Sequence, residues 1–95
     1  MKIIKKGRNK ADLLNSLEKI KDDFKNKIKE YDINISKIED GYNVKAEKSI
    51  IFVKFWVDAD IVAGEEYYEV TWKTNAPENK VAAAMDNVKD VLEKV

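Results

Sequence analysis

Apolar residues recur along the chain with two different periods. Leu13, Leu14, Leu17, Ile20, Phe24, Ile28 and Tyr31 follow one another at spacings of three and four, which places them on one stripe of a helix whose other face is charged. Asn9, with Asp12 three residues on, gives an N-cap followed by an acidic N3, so this helix is expected to start near Lys10 and run to about Glu30. The same period returns at the C-terminus, where Val81, Ala84, Met85, Val88, Val91, Leu92 and Val95 form a second stripe. Asn75-Ala76-Pro77-Glu78 marks its start, with Asn75 as the expected cap, the only proline in the first turn and Glu78 at N3.

Between the two stripes the period drops to two. Tyr31, Ile33 and Ile35 alternate with polar residues. So do Tyr42, Val44 and Ala46, and Asp40-Gly41 between the two runs is a turn signal that predicts a hairpin. The segment Lys48–Asp60, KSIIFVKFWVDAD, is the densest apolar run in the chain and is read as the central strand. On that reading Ile51, Val53, Phe55, Val57 and Ala59 face a core, while Ile50, Phe52, Lys54, Trp56 and Asp58 form a mixed second face. After a break at Val62–Glu66, a further strand over Glu65–Thr74 turns Tyr68, Val70 and Trp72 to the core and Tyr67 outward. Met1–Lys6 is either a short edge strand or a frayed terminus, and the strand is the expectation. The predicted fold is therefore α+β: an antiparallel four-stranded meander, with the N-terminal segment as a fifth edge strand and two helices on one face, forming a single domain over residues 1–95.

Composition narrows the chemistry. The chain has no Cys, hence neither disulfides nor thiolate ligands, and no His, the side chain that most often serves as catalytic base or metal ligand near neutrality. No signal peptide or apolar spanning run is visible, and a cytoplasmic location is expected. Net charge is zero, yet residues 1–37 carry eleven basic and six acidic side chains and residues 38–95 seven and twelve. The acidic group Asp58, Asp60, Glu65 and Glu66 lacks the spacing of a calcium loop and reads as solvated turn acids, so no metal, cofactor or catalytic residue is assigned and the protein is not expected to be an enzyme. The basic group Lys2, Lys5, Lys6, Arg8 and Lys10, with Lys19, Lys21, Lys25, Lys27 and Lys29, could attract phosphate. No recognition motif accompanies it and most aromatics fall on core positions, so nucleic acid is not the expected partner.

Two apolar constellations remain. Ile50, Phe52 and Trp56, with Lys54 and Tyr67, leave large apolar side chains on a face that no third layer covers, and they predict an interaction surface, most simply that of a symmetric homodimer. Phe24, Tyr31, Tyr42, Phe55, Tyr68 and Trp72 converge between helices and sheet, where they pack a core or line a pocket for a small apolar ligand. The element order, the turn Asp40-Gly41 and the alternation over Tyr42–Ala46 resemble the small polyhydroxyalkanoic acid system proteins, a granule-associated family. That resemblance implies a granule- or lipid-surface role and supplies no catalytic residue. An engineered sequence is a further alternative, although zero net charge and apolar side chains on both faces of a strand are choices a designer avoids.

Overall fold

The computed structural model describes every residue from Met1 to Val95. Its elements are β1 (Lys2–Ile4), α1 (Lys10–Ile20), α2 (Asp23–Lys27), β2 (Asp32–Ile38), β3 (Gly41–Ile50), β4 (Val53–Gly64), β5 (Tyr67–Thr74) and α3 (Glu78–Glu93). The sheet is fully antiparallel in the order β1-β5-β4-β3-β2. The four consecutive strands form the expected meander, and the N-terminal segment adds the fifth strand at the edge of β5. Helices cover one face only. Leu13, Leu17, Phe24 and Ile28 from the first helical segment and Val81, Met85, Val88, Val91 and Leu92 from α3 close over Tyr42, Val44, Ala46, Val57, Ala59, Ile61, Ala63, Tyr68 and Val70.

Local chemistry explains most boundaries. Asn9 caps α1 by accepting from the Asp12 amide at 2.8 Å. The long first helix divides, however: the Lys25 amide donates to Asp22 O, an i,i+3 bond that tightens the turn and restarts the helix with Phe24 and Ile28 still buried. At the β2–β3 turn Asp40 takes the positive φ of 59°. Gly41 instead begins β3 and lies so close to β4 that a β-carbon there would run into the Ile61 carbonyl. Gly64 is similarly covered by the Tyr67 ring, its cross-strand partner, and the Lys2 ammonium lies 4.1 Å from that ring's centroid.

Two expectations about the central strand are corrected. Lys48–Asp60 is the end of one strand and the start of another, reversing through Ile51-Phe52, with Ile50 opposite Val53. Glu47–Ser49 belongs to β3, and Val62–Gly64, expected to begin a break, completes β4. The helix-facing set is Val57, Ala59, Ile61 and Ala63, whereas Ile51 sits in the turn and Val53 is exposed. Asn75 is corrected as well. Pro77 occupies the N-cap position of α3 without a side-chain cap bond, and the Asn75 amide is used elsewhere.

Candidate functional site

β3 and β4 outrun their neighbours. β2 pairs with β3 only as far as Glu47, and β5 pairs with β4 only from Val57 onward. Lys48–Ile50 and Val53–Phe55 therefore pair only with each other, as a two-stranded arm beyond the five-stranded body. The molecule measures 46 by 22 by 21 Å, and a twelve-residue strand such as β4, about 40 Å long, accounts for most of the long axis.

The arm ends in apolar side chains. Ile51 is 89% exposed, Phe52 99% and Val53 51%. The chain leaves Ile51 and Phe52 almost wholly uncovered and Val53 half covered. Ile51 also adopts a φ of 52°, a region that β-branched residues avoid and that glycine or asparagine would occupy without cost. Lys48 and Lys54 flank the tip. Lys48 pairs with Glu30 at 3.0 Å and Lys54 with Glu47 at 3.1 Å, both exposed pairs of the kind that contribute roughly 0–1 kcal/mol.

At the root of the arm Asn75 acts as a substitute strand. Its Oδ1 accepts from the Trp56 amide at 2.8 Å and its Nδ2 donates to the Lys54 carbonyl at 2.8 Å, continuing the β5 edge for one further pair. The Thr74 hydroxyl donates to the Trp56 carbonyl at 2.7 Å and accepts from the Ala76 amide at 3.0 Å. Three side-chain bonds to β4 thus fix the direction in which the arm leaves the body, and the Ala76 amide holds the Thr74 hydroxyl in place.

On the helix side of the root lies a cleft of about 480 Å³. Ile28, Tyr31, Ile50 and Phe55 supply its apolar floor, and Lys27, Lys29, Lys48 and Lys80 stand around it with Glu30 as the one carboxylate. Two of the cations lie over aromatic rings, Lys80 at 5.0 Å from the Phe55 centroid and Lys48 at 5.7 Å from that of Tyr31.

This geometry redistributes the residues singled out in the sequence. Of Ile50, Phe52, Lys54, Trp56 and Tyr67, only Lys54, Trp56 and Tyr67 have outer-face positions, and Tyr67 pairs with Gly64 at the far end of β4. Ile50 is on the helix side and Phe52 is in the turn, so Ile50, Phe52 and Trp56 do not share one sheet face as expected. The reversal inverts parity between the strands it joins, and no Gly, Pro or Asn marks it. Exposed Ile4 and half-buried Val62 and Ile38 share the outer face with Tyr67 at that far end, and polar side chains occupy most of the remainder. Asn43 Nδ2 donates to Asp58 Oδ1 at 2.6 Å and to Asp60 Oδ1 at 2.8 Å, tying two of the acidic residues together, while Glu66 accepts from the Gly7 amide at 2.9 Å.

The second aromatic set also separates. Phe24, Tyr42 and Tyr68 are buried core, Tyr31 and Phe55 line the cleft, and Trp72 stays 38% exposed on β5 beyond the last β1 pairing. The void between sheet and α3 is only about 20 Å³, room for one water-sized group, so of the two alternatives, packed core or ligand pocket, packing describes this space. The N-terminal lysine group is largely engaged. Lys5 caps the end of α3 by donating to Glu93 O at 2.9 Å and Val95 O at 2.8 Å, Arg8 binds Asp12 and Ser16, and Lys10 pairs with Asp40 at 2.7 Å. Burial, with Arg8 nearby, lowers the Lys5 pKa. The hydrogen bond to Arg8 lowers that of Asp12.

No helix is long and apolar enough to cross a membrane. Comparison with protein-family models, with curated proteins and with solved structures finds no match.

Proposed function

We propose that this is a non-catalytic surface-binding protein that docks on an anionic lipid layer by sinking the β3–β4 tip into it. The observation that carries this reading is the pair Ile51 and Phe52, 89% and 99% exposed at the end of an arm with a lysine on each flank. Full burial of two such side chains is worth roughly 1.5–3 kcal/mol each, and each lysine near an anionic surface adds about 1 kcal/mol. Those terms give reversible attachment. Phe55 and Trp56 lie a few residues behind the tip, at the depth where aromatic rings settle in the interface.

A second copy of this chain is the competing occupant. Tip-to-tip contact would bring the lysines behind two tips together, among them Lys27, Lys29 and Lys80, which have no carboxylate within 4.0 Å. Charge therefore favours an anionic surface over self-association.

Co-sedimentation with vesicles of phosphatidylcholine containing phosphatidylglycerol tests the reading. The parent protein should pellet with the vesicles and Phe52→Asp should stay in solution with an unchanged far-UV circular dichroism spectrum. A parent that ignores the vesicles, or a variant that binds them equally, overturns docking through the tip. Sedimentation velocity identifies the competitor: a dimer dissolved by Phe52→Asp, without vesicle binding, assigns the tip to a second copy.

A further inference from the structure

We infer that the cleft at the root of the arm is a headgroup site for the phosphate of an anionic phospholipid, an inference that rests on the docking reading. Position comes first. Ile50 adjoins the turn and Phe55 lies three residues from Phe52, so the part of the floor that the arm supplies is about 3 to 10 Å behind the tip at the rise of an extended strand. The headgroup layer of one leaflet is roughly 5 to 8 Å thick. When Ile51 and Phe52 enter the acyl region, the cleft stands level with the phosphates.

Charge selects the ligand's sign. Lys27, Lys29 and Lys80 have no carboxylate within 4.0 Å, and Lys48 has one, Glu30, in an exposed pair that an incoming phosphate can replace. Three elements supply these cations: α2 and the segment after it, β3, and the first turn of α3. They converge on the cleft only because the arm, α3 and the end of α2 meet there.

The floor selects an amphiphile over a bare anion. Tyr31 lies beneath the Lys48 ammonium and Phe55 beneath that of Lys80, and this apolar surface continues along Ile50 and Val53 to the tip. A phosphate held by the lysines would leave its glycerol and the first methylenes on that surface, with the chains directed toward the layer the tip has entered. The cleft volume, about 480 Å³, is in the range that holds a small organic ligand.

The test uses short-chain dihexanoyl phosphatidylglycerol below its micelle-forming concentration, followed by amide chemical shifts. In the parent it should shift Tyr31, Ile50 and Phe55, and it should do the same in Phe52→Asp, whose cleft is intact. Lys27→Ala/Lys80→Ala should weaken this binding about 30-fold, the weight of two lysines toward an anionic headgroup. Inorganic phosphate, which cannot use the floor, should bind at least about tenfold more weakly. Absent cleft shifts in the parent, unchanged affinity in the double variant, or phosphate binding as tightly as the lipid would each overturn the headgroup site. Failure of the parent to bind vesicles while the soluble lipid still shifts the cleft would overturn docking and leave the headgroup site standing.

Discussion

Ile51 is the residue at which folding and the proposed function pull apart. At a φ of 52° a β-branched side chain costs of order 1–3 kcal/mol, and exposure of 89% returns nothing to the core. A glycine would relieve the strain, so Ile51→Gly is expected to raise the stability of the isolated domain by about 1 kcal/mol, or about 4–8 °C in Tm. The same change removes apolar surface from the tip and should weaken vesicle binding about tenfold or more. Thermal unfolding and co-sedimentation on one sample check both halves. A variant that loses stability would mean that the Ile51 side chain is needed by the fold.

At the scale of elements, the arm is anchored at its root by the Asn75 amide and the Thr74 hydroxyl. An isolated two-stranded ribbon is marginal in water, and Asn75 extends the β5 edge to hold its first pair. Asn75→Ala removes two hydrogen bonds, each worth about 0.5–1.5 kcal/mol, and should speed hydrogen exchange at the Trp56 amide far more than at Ile61 or Val70 in the body. Equal acceleration throughout would place Asn75 in global stability instead. The Asn-Ala-Pro-Glu signal in the sequence located the start of α3 to within a residue or two while misassigning this side chain. Capping chemistry and strand mimicry use the same amide, and only the neighbouring β4 backbone decides between them.

For the molecule as a whole, Tyr68 ties the helix layer to the sheet. Its ring carries no exposed surface and its hydroxyl donates to the Leu13 carbonyl at 2.7 Å, joining β5 to α1 across 55 residues. Burial pushes its pKa up to about 12, above the ordinary value of 10.0. Between those values the unfolded chain has lost the proton that the folded protein still holds, so the contribution is intact below about pH 10 and is lost as pH rises toward 12. Denaturant midpoints should therefore fall from pH 10 upward, with a shallower fall in Tyr68→Phe. An identical slope in that variant would assign the alkaline loss to other groups.

The periods of three to four and of two, with the capping signal at Asn9 and the turn at Asp40-Gly41, by themselves determined the α+β class, the strand meander, the helix stripes and nearly all of the buried set. These are local or repeating features, and each is written in adjacent residues. The functional candidate is of another kind. Ile50 to Trp56 reads as uninterrupted strand because the reversal at Ile51-Phe52 uses residues that ordinarily avoid turns, and only pairing between β3 and β4 reveals it. Likewise Lys27, Lys48 and Lys80 lie more than twenty residues apart in succession, and no spacing relates them. The tertiary structure brings them to one cleft by ending β2 and β5 short of the arm, which leaves apolar side chains and cations together where neither neighbouring strand can cover them.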